Sequence, residues 1–211
     1  MYVPGPFAET RLDVLHDAIR QAPLATLVTS GSAGPNATHL PLVLHPEIGP
    51  KGTLRGHMAR PNTHWKDMIS ACPVLAIFQG PDHYITPSWY PSKQEHGKVV
   101  PTWNYVAVHV RGQAQTFEEP DALLAHVRSL TDQHEAAFER RWSVEDAPSE
   151  FIQNMLRGIV GIKITIESIE GKWKLNQNRP EADRRGVVEG LQRLNTPESL
   201  AVAELMNKSK R

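Results

Sequence analysis

The sequence is poor in cysteine, in net charge and in long apolar runs. Its one cysteine, Cys72, excludes a disulfide framework and a CxxC-type zinc site, and fits a reducing compartment. The 23 Lys and Arg residues balance 23 Asp and Glu residues, so the formal net charge is zero. This argues against a protein whose main task is to bind DNA or an anionic membrane through its overall charge. No stretch approaches the roughly 18 consecutive apolar residues of a membrane helix, and the start MYVPGPFAET does not resemble a signal peptide. These absences predict a globular cytoplasmic protein.

Several motifs that mark enzymes and cofactor sites are also missing. The sequence has no GxGxxG or GxxxxGK[ST] loop for nucleotides and no GxSxG nucleophile elbow, so it designates no catalytic residue. Ten histidines invite a metal hypothesis, and His39 and His57 could approach each other on neighbouring strands. No HxH or HxxxH pair falls on one predicted element, however, and no third ligand follows. We therefore expect no metal site, with His126 and His134 on a helix surface.

The hydrophobic pattern predicts a mainly β, α+β fold. Because the βαβ rhythm of a doubly wound sheet is missing, we expect a small β-barrel decorated with helices. About six or seven short strands are expected. A GSAGP turn should follow the first of them, and a bulge or bend is expected near Arg111–Gly112. The main predicted strands are Leu24–Ser30, Asn36–Leu44, Thr53–Ala59, Cys72–Gly80, Trp103–Phe117 and Val160–Glu170. Helices are predicted over Thr10–Gln21, Arg60–Ser70, Pro120–Phe138, Pro148–Arg157, Pro180–Leu194 and Pro197–Lys208.

The segment TLRGHMARPNTHW, residues 53–65, combines groups that suit phosphate recognition. A strand delivers Arg55 and His57 on one face, and the chain then turns into a helix with Arg60 and Asn62 at the turn. An arginine that can donate two hydrogen bonds, free backbone amides and a helix dipole together favour the binding of an anion such as phosphate. The structural alternative is that Asn62 caps the helix and Arg60 is a solvated turn residue, and the local pattern does not decide between them.

Three other segments offer surfaces for a ligand. In THLPL (Thr38–Leu42), Pro41 cannot donate to a ladder, so we expect an edge strand that either hydrogen-bonds a heterocycle or is simply a protected edge. The aromatic and proline-rich segments ITPSWYP (Ile85–Pro91) and VVPTWNY (Val100–Tyr105) suit stacking on a planar ligand, an interface or a structural cap. GKWKLNQNR (Gly171–Arg179) follows the last strand and ends in planar and polar side chains.

The last two predicted helices could be taken for a DNA-binding helix-turn-helix. Residues 172–211 carry nine Lys and Arg and five Asp and Glu residues, a net charge of +4. This excess is mild, so we favour a helical arm that packs on the same domain or on a partner subunit. The predicted organisation is therefore one domain over residues 1–179 and a C-terminal helical arm over residues 180–211.

Four segments in this order, GTLRGHMARPN, YITPSWYPSK, GKVVPTWNY and GKWKLNQNR, make the sequence resemble the PaiB family of FMN-binding negative transcriptional regulators. The resemblance runs nearly end to end, from MYVPGPF to GVVEGL. It implies an FMN-binding split β-barrel decorated with helices that forms a homodimer, with the flavin in a cleft between subunits. The same layout is similar to that of the pyridoxamine-phosphate oxidases.

The resemblance also implies which residues hold FMN. THLPL would line the flavin ring, and the next strand with its turn would grip the ribityl phosphate. The aromatic segments and Trp173 would come from the partner subunit or close the pocket. The residues so predicted to bind FMN are Thr38, His39, Leu40, Pro41, Arg55, Gly56, His57, Met58, Ala59, Asn62, Trp103, Asn104, Trp173 and Arg179. The oxidases have a Ser-Arg-Lys cluster where this chain has Ala59-Arg60-Pro61, which implies a weaker hold on the phosphate.

Two functions follow from the resemblance. The first is a flavin-dependent regulator in which FMN alters contact with DNA or with a protein; DNA as a partner rests on the family description alone. The alternative is an oxidoreductase that uses FMN to pass electrons from a nicotinamide or small reductant to another acceptor. In both, the flavin carries the chemistry and the protein supplies position and electrostatics. A third class is a structural dimer that has lost the cofactor.

Overall fold

The computed structural model describes residues 1–31 and 34–209, which fall into two compact units. The barrel unit consists of His16–Phe78 and His109–Ile169, and the terminal unit consists of Met1–Leu15, Gln79–Val108 and Glu170–Arg211. Two residues of the predicted GSAGP turn, Ser32 and Ala33, and the last two residues of the predicted arm lie outside the described residues.

The strands are β1 (Ala8–Glu9), β2 (Leu24–Gly31), β3 (Gly34–Pro41), β4 (Val43–His45), β5 (Thr53–Ala59), β6 (Cys72–Ile85), β7 (Thr102–Phe117) and β8 (Ile159–Lys174). The α-helices are α1 (Leu12–Gln21), α2 (Ser92–His96), α3 (Pro120–Glu135), α4 (Ser149–Arg157), α5 (Glu181–Leu194) and α6 (Pro197–Lys208). Of the described helices, none is long and apolar enough to cross a membrane. Most predicted elements are present. The strand expected over Asn36–Leu44 is two strands, β3 and β4, separated by Leu42. The helix expected over Arg60–Ser70 is a 3₁₀ segment over Thr63–Met68, and β6 continues beyond Gly80 to Ile85.

In the barrel unit the strands follow the order β3-β2-β6-β7-β8-β5-β4. The two end strands are separated in sequence only by Leu42, which is 1% exposed. One extended segment therefore pairs with β2 through β3 and with β5 through β4, both antiparallel. This switch brings the two ends of the sheet together and closes it into the predicted barrel. Pro41 ends β3 at the edge, where its missing N–H costs no ladder hydrogen bond, as predicted.

The core of the barrel unit follows the alternation of apolar residues along its strands. On β8, Val160, Ile162 and Ile164 are fully buried, while Lys163 between them is half-buried on the opposite face. Each such aliphatic side chain contributes about 1.5–3 kcal/mol of burial free energy. The bend expected at Gly112 does not interrupt β7; a Cβ there would overlap the carbonyl oxygen of Thr165, so the glycine permits the backbones to approach.

The terminal unit is built around the C-terminal helices. The short strand β1 pairs with the end of β8. Helix α5 ends at Asn195, which adopts φ 53°, and Thr196 then caps α6 by accepting a hydrogen bond from the Ser199 N–H at 3.2 Å. Both helices bury apolar side chains in one cluster with Ile85, Tyr90 and Leu175 of the same chain. The domain boundary predicted at residue 179 stays a prediction.

Candidate functional site

Strand β5 has an apolar face and a polar face, as its alternation predicted. Leu54, Gly56 and Met58 are buried, whereas Arg55 and His57 on the other face are half-buried. Because successive side chains of a strand point to opposite faces, the two polar residues share one environment. This polar face of β5 is the first part of the candidate site.

Gly56 is required by the closure of the barrel. A Cβ at this position would lie 2.7 Å from Cδ2 of Leu42 and 3.0 Å from the carbonyl oxygen of Pro41, closer than such atoms pack. Met58 and Leu40, also predicted to bind FMN, are each 3% exposed and contribute to the core. These residues can meet a ligand only through their main chain, while His39 on β3 is exposed and Pro41 is half-buried.

Arg55 lies opposite a second cation. In the ladder between β5 and β8, Arg55 pairs with Lys163, so the two side chains leave the sheet on the same face. They line a cavity of about 210 Å³ with Gln115, Thr116, Phe117 and Ala122. The Nε atom of Arg55 is buried and has no hydrogen-bond partner in the described part of the chain.

His57 contacts His126 of helix α3. The Nδ1 atom of His57 lies 3.0 Å from Nε2 of His126, and the rings meet edge to face. The expectation that His126 lies on the helix surface was wrong, since it is 1% exposed and packs edge-on against Phe117. Burial, then the neighbouring His57, His45 and Arg55, lower the pKa of His126 to about 3. Burial also lowers the pKa of His57, so both rings are neutral at pH 7.

The turn after β5 contains a chain of hydrogen bonds that involves two predicted residues. Nδ2 of Asn62 donates to Oγ1 of Thr38 at 3.2 Å, and Oγ1 of Thr38 lies 2.8 Å from Nδ1 of the buried His64. On the other side of that ring, Nε2 lies 2.9 Å from Oγ1 of Thr29, which donates to Asp67 at 2.7 Å. Because Thr29 uses its proton on Asp67, it accepts from Nε2, and Nδ1 accepts from Thr38. We assign His64 the neutral Nε2–H tautomer on this basis.

The side chains of Asn62 and Arg60, in the turn after β5, form hydrogen bonds within the protein. Asn62 caps the 3₁₀ segment by accepting from the His64 N–H at 3.1 Å, which is the structural alternative considered for it. Arg60 is not simply solvated: it donates to the carbonyl oxygens of Arg157 at 3.0 Å and Ile159 at 3.2 Å, and pairs with Glu118 at 2.7 Å. Ala59, the remaining predicted residue here, is exposed.

Two predicted residues of β7 lie in the terminal unit. Trp103 is 53% exposed and meets Tyr84 edge to face, with ring centroids 6.0 Å apart. Asn104 is fully buried and donates from Nδ2 to the sulfur of Met206 at 3.4 Å, while its Oδ1 has no partner among the described residues. Trp103 therefore presents a surface to a ligand or partner, whereas the side chain of Asn104 is enclosed; contact of either residue with FMN stays a prediction.

The other two predicted residues of the terminal unit follow β8. Trp173 lines a cavity of about 1040 Å³ between the N-terminal segment and helix α6. The guanidinium of Arg179 stacks on the ring of Tyr90 at 5.1 Å, and the Tyr90 hydroxyl is 3.2 Å from Nδ2 of Asn176. Arg179 thus stabilises a buried tyrosine whose pKa is raised, chiefly by burial.

The structure also places the candidate metal ligands and the lone thiol. Within residues 1–31 and 34–209, no three His, Cys, Asp or Glu side chains come close enough to hold a metal ion. Cys72 is half-buried, and burial followed by the nearby Asp67 raises the pKa of its thiol. A thiol that stays protonated is a poor nucleophile.

Sequence reasoning missed the roles of two residues that lie beside the polar face of β5. Lys163 was visible as the polar position in the apolar alternation of β8, but its pairing with Arg55 depends on strand order. His126 lies in α3 close to the buried Leu123, a spacing that indicates the inner face of the helix. That spacing was the available signal for burial.

Comparison with known proteins identifies the family. A family model described as "Putative FMN-binding domain" matches residues 1–168. The chain belongs to this family. It is also 34% identical over 206 residues to the protein of Bacillus subtilis strain 168 named "Protease synthase and sporulation protein PAI 2", a match that covers 98% of this chain and 96% of the relative. The predicted PaiB family, and FMN as the cofactor of that family, are confirmed.

Solved structures share the fold of this FMN-binding domain. The FAD and heme binding protein from Mycobacterium smegmatis matches with a TM-score of 0.55 and 16% identity over 79% of this chain and 73% of that chain. The flavocytochrome Anf3 from Azotobacter vinelandii matches with a TM-score of 0.58 and 11% identity over 79% of this chain and 69% of that chain. The predicted α+β split-barrel class is confirmed, and the homodimer stays a prediction.

Proposed function

We propose that this chain is a flavoprotein that binds FMN along strands β3 and β5 of the barrel unit. The family match over residues 1–168 supports FMN as the ligand. The observation that carries the proposed location is Arg55, whose buried Nε lacks a hydrogen-bond partner within the described residues. Leaving a buried polar donor unsatisfied is costly, and a phosphate oxygen is the acceptor that a guanidinium binds best. The residues therefore fit the phosphate end of FMN.

Strand β3 is suited to the flavin ring through its backbone. In the sheet order it has a hydrogen-bonded neighbour on one side only. We expect main-chain groups of Thr38–Pro41 that do not pair with β2 to bind the polar edge of the heterocycle. The side chain of Thr38 is already committed to Asn62 and His64, and that of Leu40 to the core. We expect the main chain of β3 to contribute more affinity than these two side chains.

FMN supplies electron-transfer chemistry when it is bound, and the protein's part is to bind and orient it. Trp103, Asn104, Trp173 and Arg179 stay predicted contacts that rest on the resemblance. We also keep the homodimer as part of the proposal, because the barrel unit exposes large apolar side chains such as Leu24 (64%) and Ile69 (62%). Light scattering after size-exclusion chromatography measures the oligomeric state directly.

Two roles for the bound flavin remain to be separated. A regulator that contacts DNA should bind its own promoter region with an affinity that falls steeply as salt rises. Part of the basic charge of the C-terminal helices is already committed: Lys208 pairs with Glu204 at 2.6 Å, and Arg184 donates to the carbonyl oxygen of Met206. An oxidoreductase should instead oxidise NADH or NADPH faster than free FMN does. The cytoplasm stays the proposed location, since the lone free thiol fits a reducing compartment.

The proposed function is tested by an absorption spectrum and an FMN titration followed by fluorescence quenching. We expect saturable quenching by the wild type and at least tenfold weaker binding by Arg55→Gln, because a charge-assisted phosphate contact is lost. Arg128→Gln is the matched control, since Arg128 is an exposed arginine of the same unit that pairs with Glu145. A wild type that does not quench FMN would overturn the function, and an Arg55→Gln variant with wild-type affinity would overturn the location.

A further inference from the structure

The pairing of Arg55 with Lys163 is unusual for a β-sheet. The two residues are direct partners in the ladder between β5 and β8, and both are half-buried. Like charges directly opposite each other on neighbouring strands destabilise a sheet. Within residues 1–31 and 34–209, the buried Nε of Arg55 has no hydrogen-bond partner. The two cations line one cavity whose lining residues include no carboxylate.

The cavity between these cations has the size and lining of an anion site. Its volume is about 210 Å³, below the 300–1,000 Å³ of sites that enclose a whole drug-sized ligand. Gln115 and Thr116 of β7 add an amide and a hydroxyl that can donate hydrogen bonds. Such a space accommodates a phosphate group more readily than a flavin ring.

The residues around Arg55 do not neutralise its charge. His57 and His126, which contact each other at 3.0 Å, are both neutral at pH 7. The nearby acid Glu118 already pairs with Arg60 at 2.7 Å. An oxyanion in the cavity would face donors and cations with no adjacent carboxylate among its lining residues.

We infer that Arg55 and Lys163 form a binding site for a phosphate-sized oxyanion, with Lys163 as a second phosphate-binding residue that the sequence did not designate. Two sources share this chemistry: the phosphate end of FMN and free inorganic phosphate. Assignment to FMN rests on the proposed function, whereas the anion site itself does not. The bound anion would accept hydrogen bonds from the guanidinium and the ammonium and would relieve their repulsion.

Thermal unfolding in phosphate or chloride at equal ionic strength tests the site without flavin. Phosphate should raise the melting temperature of the wild type, because a ligand that binds only the folded state stabilises it. The shift should disappear in Arg55→Gln and Lys163→Gln and persist in Lys66→Gln, which removes an exposed lysine of the same unit. Lys163→Arg should restore it. Equal shifts in all the proteins would overturn the inference, and folding of each variant is checked by circular dichroism in chloride.

Titration with FMN and riboflavin then identifies the source of the phosphate. If the cavity holds the phosphate of FMN, Lys163→Gln should weaken FMN binding at least tenfold and leave riboflavin binding unchanged. Loss of the phosphate-induced shift with unchanged FMN affinity supports a site for free anion. If the wild type binds neither flavin but keeps the phosphate response that Lys163→Gln lacks, the proposed function fails while the anion site stands. A Lys163→Gln variant that matches the wild type in every titration overturns the site.

Discussion

The polar face of β5 and the turn that follows it are neighbours in sequence with opposite hydrogen-bonding states. In the turn, Asn62 and Arg60 have partners for their side chains, from a helix cap to backbone carbonyls and a carboxylate. On the strand, Arg55 has a buried nitrogen without a partner and faces Lys163. The side chains of Asn62 and Arg60 have hydrogen-bond partners without a ligand, whereas Nε of Arg55 has none among the described residues. Among similar polar residues, the unsatisfied ones are the better indicators of a binding site.

The largest effect is expected where the turn region is broken at its centre. His64→Leu removes the ring that links Thr38 to Thr29 and leaves both hydroxyls short of a buried partner. We expect a loss of about 3 kcal/mol in the free energy of unfolding, measured by chemical denaturation. The exposed Lys66→Gln substitution is the control and should change little. A loss below about 1 kcal/mol would mean that the network relaxes around the gap.

Beside the polar face of β5, the buried His126 makes the stability of the fold depend on pH. The pKa of His126 is about 3 in the fold against an ordinary value of 6.5. The unfolded chain therefore takes up the proton first, so stability is complete above pH 6.5 and is lost as the pH falls toward 3. Between pH 7 and pH 5 this amounts to roughly 2 kcal/mol.

His126→Phe is the variant that tests this pH dependence, since it keeps a ring and removes the titrating group. Its free energy of unfolding should fall less between pH 7 and pH 5 than that of the wild type. Some pH dependence remains, because burial lowers the pKa of His57 in the same direction. Identical pH slopes for the two proteins would contradict a buried, neutral His126.

Removing the cap of the turn has a smaller expected effect. Asn62→Ala should cost about 1 kcal/mol of unfolding free energy, as is usual for a lost helix cap. Asn62→Asp keeps an acceptor for the His64 N–H and should recover most of this loss. Because the amide of Asn62 is already committed, FMN affinity should change less than twofold in both variants. A larger loss of affinity would show that the side chain contacts FMN as well.

The smallest effect is expected for the surface pair of the turn. Arg60 and Glu118 are 41% and 50% exposed, so solvent weakens their attraction. Glu118→Gln should therefore change the free energy of unfolding by less than about 1 kcal/mol. Denaturation of this variant in low and high salt measures the contribution. A larger, salt-independent loss would mean that Glu118 stabilises the turn in another way.

Local features of the fold were predictable from the sequence. The alternation on β5 and β8 identified their buried faces, and the Asn195-Thr196 break separated α5 from α6. The continuation of β6 to Ile85 was missed because Gly80 and Pro81 read as the end of a strand. Such residues lower local strand propensity, but pairing with a neighbouring strand decides the outcome.

The candidate site was less predictable, for a physical reason. Arg55 was visible as a cation on a polar face, yet its neighbour Lys163 lies on a strand more than a hundred residues later. Their encounter depends on the order of strands in the sheet, which local patterns do not determine. The roles of Asn62 and Gly56 also required the fold, since capping and close approach are contacts between segments.

The switch of one segment from β2 to β5 at Leu42 has a consequence for biosynthesis. The hairpin of β2 and β3 can form as soon as it leaves the ribosome, because its partners are adjacent in the chain. β5 pairs with β8, for example at Leu54 and Ile164. The edge of β5 that pairs with β8 therefore stays unpaired until most of the chain has been translated. A nascent chain that stalls before β8 would carry the bare edge of β5, the kind of strand edge that recruits other chains into aggregates.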